Sequence, residues 1–304
     1  MNVAVLGTGL LGSEVAIRLA SEGFTVTVWN RSEARSAPLS AVGIRVADTA
    51  AGAIAAADAA LLLLSDAAAI RAILLAPDAA AALAGRIVVQ MGTIAPDESR
   101  AIADRCRTSG ADYLEAPVLG SLPEAREGRL IVMAGGEEAT FRRCLPLLEA
   151  LSESPERVGD IGQGAALKLA MNQLIAGLTA SFAYSLGLAR SEGLDVEQFM
   201  GLLRRSALYA PTFDKKLAKY LTRDYGKANF PLRHLLKDVA LFRQTAADSG
   251  MDAAPLAALE SALARGVRGG LGDADYSALY EALVEPDGLG SGAEPSVPDA
   301  GDKG

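Results

Sequence analysis

Two features of the sequence predict an α/β Rossmann-type N-terminal domain and an all-α C-terminal domain, joined by a long central helix. Short β-like runs alternate with Ala- and Leu-rich segments of helical length in the first half of the chain. This alternation is typical of βαβ units around a parallel sheet. After about residue 162 the strand-like runs stop, and helical segments follow one another.

The predicted strands are short and apolar, and most are separated by a helical segment. They cover residues 3–6, 24–29, 59–64, 87–90, 113–115 and 130–133. Continuous apolar runs of this kind indicate strands buried on both faces. The central helix is predicted over residues 163–192; it is apolar on nearly all sides, so we expect it to be buried. Further helices are predicted over residues 196–206, 231–249, 254–266 and 274–283.

Three segments follow from this pattern. We place the Rossmann domain at residues 1–162 and the all-helical domain at residues 163–285. The tail, residues 286–304, consists mainly of Gly, Pro, Asp and Ser with little to bury, so we predict that it is disordered.

The composition excludes several classes of function. The 304-residue chain carries 29 Lys and Arg against 37 Asp and Glu, a net charge of −8, which argues against nucleic acid as a partner. Since there are only two cysteines and one histidine, we expect neither a disulfide framework nor a Cys/His zinc site, and we predict no metal.

A membrane partner and export are not expected. Residues 169–189 carry no charge, but Asn, Gln, Thr and Ser interrupt the run, which favours a buried helix over a membrane span. The N-terminus lacks the basic start and the cleavage site of a signal peptide. The predicted location is the cytoplasm.

A glycine-rich loop follows the first predicted strand and opens a helix. It has the pattern G-x-G-x-x-G and consists of Gly7, Thr8, Gly9, Leu10, Leu11 and Gly12. In this context the first glycine allows the tight turn, the second lets a pyrophosphate approach the backbone, and the third lets helix and strand pack closely. The loop therefore predicts dinucleotide binding; the alternative is an ordinary glycine-rich turn.

The end of the second strand indicates which dinucleotide is preferred. NAD-selective domains usually place an acidic residue there to bind the ribose 2′-hydroxyl, whereas this chain has Asn30, Arg31 and Ser32. The arginine can form charge-assisted bonds to a 2′-phosphate, and the serine can add a hydroxyl. We therefore predict NADP(H) as the cofactor, the alternative being that Arg31 is a solvated loop charge.

Two polar residues interrupt the apolar central helix. Lys168 and Asn172 are four residues apart, so they share one face of the helix. Because a buried ammonium without a partner is costly, the pair is more favourable if it faces a cleft, where it would form a site. The alternative is a lysine whose ammonium extends into water near the helix start.

Four motifs together resemble the β-hydroxyacid dehydrogenases, the family that includes 3-hydroxyisobutyrate dehydrogenase. They are the glycine loop, Ala116-Pro117-Val118, the Gly-x-Gly-x-x-x-Lys-x-x-x-Asn segment at 162–172, and Lys237-Asp238. The resemblance covers residues 1–285, and the pattern is nearest to the NADPH-using glyoxylate/succinic semialdehyde reductases. It implies a C-terminal domain like that of 6-phosphogluconate dehydrogenase, with roles in substrate binding and dimerisation.

The resemblance also implies roles for individual residues. Lys168 matches the catalytic lysine that acts as general acid and base at the substrate oxygen, and Asn172 matches the residue that helps to place the substrate. Leu64 and Ser65 match a strand end that covers the cofactor. Thr93 matches a threonine near the nicotinamide, and Lys237 matches a lysine of the second domain that reaches the cofactor.

The substrate segment departs from the family pattern. Leu119, Gly120 and Ser121 stand where the family usually has Ser-Gly-Gly, so the serine that binds the substrate carboxylate is replaced by leucine. Either the Gly120 N–H and the Ser121 hydroxyl bind an anion instead, or the substrate lacks a carboxylate at this point. The usual small hydroxyacids are therefore in doubt.

The function predicted is an NADP(H)-dependent oxidoreductase that interconverts a small hydroxyacid-type alcohol and its aldehyde or keto form. Two alternatives remain, an imine reductase on the same scaffold and a non-enzymatic dinucleotide-binding protein. Known imine reductases usually have Asp or Tyr at the position of Lys168, which argues against the first. The apolar central helix and the resemblance both predict a homodimer or a homotetramer.

Overall fold

The computed structural model describes residues 1–285, which form two compact units. The first unit contains Met1–Asn172 and Gln244–Ser249, and the second contains Gln173–Arg243 and the described residues from Gly250 onward. The disorder predicted for residues 286–304 lies outside the described residues.

The first unit contains a mixed sheet of nine strands within the described residues. The strands are β1 (Asn2–Leu6), β2 (Thr25–Trp29), β3 (Arg45–Val46), β4 (Ala59–Leu62), β5 (Ile87–Gln90), β6 (Asp112–Glu115), β7 (Val118–Leu119), β8 (Ile131–Gly135) and β9 (Glu156–Gly159). Their order is β3-β2-β1-β4-β5-β6-β8-β7, with β9 beside β8. All six predicted strands are present, and β1 to β6 are parallel.

One side of the sheet departs from the parallel arrangement. Strand β8 runs antiparallel to both β6 and β7. A parallel return needs a long crossover, whereas β7 and β8 are joined through a single short helix, Leu122–Glu127.

Eight helices of the first unit accompany this sheet in the described chain. They are α1 (Leu10–Ser21), α2 (Glu33–Ser40), α3 (Ala50–Ala55), α4 (Ala67–Leu74), α5 (Pro77–Ala82), α6 (Pro96–Thr108), α7 (Leu122–Glu127) and α8 (Glu138–Glu149). Side chains of a strand alternate between the two faces of a sheet. In β1, accordingly, Val3 and Val5 belong to one buried cluster while Ala4 and Leu6 belong to another. The central strands are thus buried on both faces, as the apolar runs predict.

The central helix α9 (Gln163–Ser191) has 29 residues and begins at the predicted residue. The second unit continues with α10 (Val196–Arg204), α11 (Pro211–Thr222), α12 (Leu232–Asp248), α13 (Ala254–Gly266), a π-helical turn (Val267–Leu271), a 3-10 helix (Tyr276–Ala278) and α14 (Leu279–Val284). Helix α11 was not predicted, although Phe213, Leu217 and Tyr220 follow a helical spacing and are buried.

One face of α9 differs from the sequence expectation. The helix was expected to be buried on nearly all sides, but Leu174, Tyr184 and Leu188 are 58%, 57% and 66% exposed in the single chain. The opposite face, which includes Phe182 and Leu186, packs into the core of the second unit. Among residues 1–285, no helix has the length and hydropathy needed to span a membrane.

Candidate functional site

The predicted cofactor residues of the first unit lie at one edge of the sheet. Gly7 follows β1, Asn30 follows β2, Leu64 comes shortly after β4, and Thr93 comes shortly after β5. These are the carboxyl ends of parallel strands. The chain moves from β1 outward to β2 and β3 and then returns to the other side of β1 as β4, so a topological switch point lies there. Ligands of doubly wound sheets bind at such a crevice.

The glycine loop is held by close backbone packing. Gly7 has a φ of +102°, and its N–H donates to the carbonyl oxygen of Trp29 at 2.9 Å. A Cβ at Gly7 would overlap the Leu63 carbonyl, and one at Gly12 would overlap the carbonyl oxygen of Gly7. By contrast, a Cβ at Gly9 would meet nothing within 4 Å. Packing therefore requires the first and third glycines, while the space beside the second is open.

The start of α1 offers backbone N–H groups to a ligand. Gly9 is the N-cap, it provides no side-chain cap, and the first turn contains no acidic residue. Leu10 is 53% exposed, and Leu11 is half-buried beside it. Such a helix start binds anions through its free N–H groups and the helix dipole.

Thr8 adds an unsatisfied group to this loop. Its hydroxyl is buried and has no hydrogen-bond partner among the described residues. Its backbone N–H donates to Asn30 Oδ1 at 3.2 Å. A buried hydroxyl without a partner is unfavourable, so a polar ligand at this loop would satisfy it. The loop therefore fits the dinucleotide that the sequence predicts.

The Asn30-Arg31-Ser32 segment lies next to the loop. Asn30 accepts the bond from Thr8 and donates from Nδ2 to the Ser32 carbonyl at 2.9 Å, so it ties the ends of β1 and β2 together. Arg31 and Ser32 are exposed. The end of β2 thus carries an amide and a guanidinium. A carboxylate at this position would instead repel a 2′-phosphate.

The loops after β4 and β5 lie close to each other. A Cβ at Gly92 would lie 2.7 Å from the Leu64 carbonyl oxygen. Gln90 Nε2 donates to the Gly92 carbonyl at 3.0 Å, which shapes the turn that leads to the half-buried Thr93. The exposed Ser65 donates to Asp66 Oδ2 at 2.9 Å. The cofactor contacts of these residues stay predictions.

Lys168 and Asn172 form a buried pair. Lys168 Nζ donates to Asn172 Oδ1 at 2.8 Å, and the two residues are 9% and 1% exposed. Their predicted position on one helix face is confirmed. The burial disagrees with the alternative of a lysine extended into water. The amide oxygen satisfies one of the three ammonium donors, and the catalytic role of the pair stays a prediction.

Lys237, the remaining predicted cofactor residue, lies on α12 in the second unit. Its ammonium is 2.9 Å from Asp238 Oδ1, and its side chain is 27% exposed. Its contact with the cofactor stays a prediction.

The segment predicted to bind substrate already holds a carboxylate. Both the N–H and the hydroxyl of Ser121 donate to Glu124 Oε2 at 2.7 Å. This is a capping box at the start of α7, and the Ser-x-x-Glu spacing could have predicted it. Leu119 is half-buried and Gly120 is exposed. Because Ser121 is engaged by an anion of the protein, it is a poor site for a second anion.

The sequence reasoning also missed Glu115, a buried acid at the end of β6. Its Oε1 accepts from the N–H groups of Gly162, Gly164 and Ala165 at 2.8, 2.7 and 3.2 Å. Its Oε2 accepts from the Ser99 hydroxyl. Burial raises the pKa of Glu115, and these hydrogen bonds oppose the rise. A charged residue at the end of a buried strand is the sequence signal that could have identified it.

The cysteines and Arg126 lie outside this site. Cys106 and Cys144 are buried, and burial raises the pKa of each thiol to about 12, so both are unreactive at neutral pH. Arg126 pairs with Glu14 at 2.6 Å on the surface. Among the described residues no cluster of His, Cys, Asp and Glu could hold a metal ion.

Family models match nearly the whole described chain. Residues 2–162 match the NAD binding domain of 6-phosphogluconate dehydrogenase. Residues 162–283 match a family described as the NAD-binding domain of NADP-dependent 3-hydroxyisobutyrate dehydrogenase.

Similar proteins cover the same range. The chain is 31% identical to the chloroplastic glyoxylate/succinic semialdehyde reductase 2 of Arabidopsis thaliana, over 93% of this chain and 79% of that protein. It is 30% identical to glyoxylate/succinic semialdehyde reductase 1 of the same plant, over 93% and 98%. A solved structure of Mycobacterium tuberculosis 3-hydroxyisobutyrate dehydrogenase with L-serine has a TM-score of 0.83 at 23% identity, covering 93% of this chain and 98% of that one. This last likeness shows the fold.

Proposed function

The chain belongs to the 3-hydroxyisobutyrate dehydrogenase-like family of β-hydroxyacid dehydrogenases, and we propose that it is an NADP(H)-dependent oxidoreductase with Lys168 as its general acid and base. Its reaction interconverts a small hydroxyacid-type alcohol and the corresponding aldehyde or ketone. The observation that carries this proposal is the buried Lys168–Asn172 pair, placed on a helix in the same unit as an open glycine loop.

The residues of the loop would hold the dinucleotide. The N–H groups at the start of α1 would bind the pyrophosphate, beside the open space at Gly9. The Thr8 hydroxyl would gain a partner there. Arg31 would bind the 2′-phosphate, and Asn30 would avoid repelling it.

Lys168 would donate the proton in the reductive direction and accept it in the oxidative direction. When bound, the reduced nicotinamide supplies a hydride to the carbonyl carbon. Lys168 would stabilise the negative charge that develops on the carbonyl oxygen and then donate its proton. Asn172 would orient the ammonium through its 2.8 Å bond to Nζ. In the oxidative direction the neutral amine would accept the proton from the alcohol.

Glu124 limits which substrates fit. Its carboxylate accepts two hydrogen bonds from Ser121, and the side chain of the half-buried Leu119 cannot donate one. We propose that any carboxylate of the substrate lies away from residues 119–121, because two like charges in contact are unfavourable.

A substrate screen with NADPH tests the function. We expect absorbance loss with small aldehydes or keto compounds, among them glyoxylate, succinic semialdehyde and neutral aldehydes of the same size. Faster turnover of cyclic imines would instead favour the imine reductase. Dinucleotide binding without turnover of any compound would favour the non-enzymatic alternative.

Arg31→Ala is expected to lower kcat/KM for NADPH by roughly 10- to 100-fold and to leave the value for NADH unchanged. The reason is the loss of a charge-assisted bond to the 2′-phosphate, worth about 1.5–3 kcal/mol. Steady-state kinetics with both cofactors measure the effect. Arg35→Ala, in the first turn of α2 and also exposed, is the control and should change neither value. A wild-type preference for NADH would contradict the proposal.

The exposed face of α9 supports the proposed homodimer or homotetramer, in which residues 163–285 carry the dimer contacts. Leu174 and Leu188 are 58% and 66% exposed, and a second copy would cover them. We expect Leu174→Glu with Leu188→Glu to give monomers in light scattering, because association would bury the new charges. Val42→Glu, at a position 59% exposed in the first unit, should leave the oligomer intact. A monomeric wild type would exclude this part of the proposal.

A cytoplasmic location completes the proposal. Both cysteines are free thiols, as is usual in a reducing compartment.

A further inference from the structure

We propose that Glu115 is a positioning residue: its buried carboxylate fixes the first turn of α9 and thereby places Lys168 for proton transfer. The inference rests on the proposed function of Lys168. Glu115 is fully buried, and it lies 53 residues before Lys168 in the sequence. Its effect on the lysine would pass through the start of α9, because its carboxylate accepts hydrogen bonds from the N–H groups there.

The carboxylate replaces the missing partners of a helix start. The first N–H groups of a helix have no acceptor within the helix. Here two of them, those of Gly164 and Ala165, converge on Glu115 Oε1 within 3.2 Å, together with the N–H of Gly162 just before the helix. A carboxylate is also the charge that the helix dipole favours at this end. A single oxygen atom thus joins the end of β6 to the beginning of α9.

The second oxygen of the carboxylate is oriented by a separate chain of hydroxyl groups. Ser99 on α6 donates to Oε2, and Tyr113 Oη lies 2.9 Å from the Ser99 hydroxyl. All three residues are buried. With donors on both oxygens, the carboxylate is satisfied and has one fixed orientation.

Glycines make the space for this carboxylate. A Cβ at Gly135 on β8 would overlap Glu115 Oε1, and one at Gly164 would lie 3.1 Å from the same oxygen. Gly162 has a φ of +99°, which turns its N–H toward the carboxylate at the helix entry. The Gly-x-Gly spacing before Lys168 therefore serves the anchor, since a side chain at the second glycine would crowd it.

The anchor and the lysine are close along the helix. Ala165, the last donor to Glu115, is three residues before Lys168, so less than one helical turn separates them. A shift of the first turn would therefore move Nζ and its bond to Asn172. Misplacing a catalytic group by about 1 Å can lower the rate by about 100-fold.

The test compares Glu115→Ala and Glu115→Gln with the wild-type enzyme. We expect Glu115→Ala to lower kcat by about 10- to 100-fold while the Kd for NADPH stays within twofold, because the glycine loop is untouched. Glu115→Gln keeps an oxygen that can accept the three N–H bonds, so it should recover most of kcat. Rescue by the amide, with kcat changed and cofactor affinity unchanged, is a pattern that general loss of stability does not produce.

Asp58→Ala is the control in the same unit. Asp58 Oδ2 accepts from the N–H of Asn2 at 2.8 Å, at the opposite, amino edge of the sheet, so kcat should be unchanged. Wild-type kcat in Glu115→Ala, or an equal loss in Asp58→Ala, would overturn the inference. If Glu115→Ala does not fold, Glu115→Gln decides: a kcat below one hundredth of the wild-type value would overturn it.

Hydrogen exchange separates this inference from the proposed function. If the wild type reduces no carbonyl compound, the proposed function fails, and the anchor is then judged by amide exchange in residues 162–168. Faster exchange there in Glu115→Ala than in Asp58→Ala, with Glu115→Gln close to the wild type, supports the anchor. Unchanged exchange overturns it.

Discussion

Lys168→Ala is expected to lower kcat for carbonyl reduction by about 10³-fold, within the range that general acid catalysis contributes. The ammonium would stabilise the charge that develops on the carbonyl oxygen, and alanine supplies neither charge nor proton. The Kd for NADPH should stay within a fewfold of the wild-type value, because the loop at residues 7–12 and Arg31 are unchanged. Single-turnover kinetics and calorimetric titration measure the two quantities.

Lys168→Arg distinguishes charge from proton transfer. The guanidinium keeps the positive charge, but it does not release its proton at any pH that the protein survives. We therefore expect kcat to remain at least about tenfold below the wild-type value in this variant too. Turnover close to that of the wild type in Lys168→Ala would remove the lysine from the mechanism.

The strands that the sequence predicted well are those buried on both faces. Ile87, Val88 and Val89 form an uninterrupted apolar run because their strand has neighbours in the sheet and core on either side. The strands that were missed, β3, β7 and β9, have two to four residues and include exposed or half-buried positions. Two residues are too few to show a period, and the four residues of β9 include no buried position, so no apolar run marks that strand.

Whether a feature of the site could be predicted depends on how far apart its residues lie along the chain. The glycine loop is local, and the Lys168–Asn172 pair follows from helical spacing, so the sequence predicted both. The bond between Glu115 and Gly162 joins residues 47 positions apart and depends on the order of the strands. A single sequence without its fold does not contain that proximity. The cap of Ser121 by Glu124 is local, and it was within reach of the sequence pattern.

Gly9→Ala is expected to raise the Kd for NADPH by about 100-fold, the equivalent of one or two charge-assisted hydrogen bonds, while changing stability by less than about 1 kcal/mol. In the folded chain a Cβ at this position meets no atom within 4 Å, so the fold tolerates it. The same methyl group would occupy the space in which the pyrophosphate is expected to approach the backbone. Calorimetric titration and urea unfolding measure the two effects.

Gly12→Ala is the matched variant, in which we expect the larger effect on stability and the smaller effect on cofactor affinity. Its Cβ would overlap the carbonyl oxygen of Gly7, so the start of α1 must move away from β1, at a cost of about 1–3 kcal/mol in stability. Cofactor binding should weaken as well, because the N–H groups of the helix start move with it. If Gly9→Ala bound NADPH as tightly as the wild type, the open space beside Gly9 would not be the pyrophosphate site.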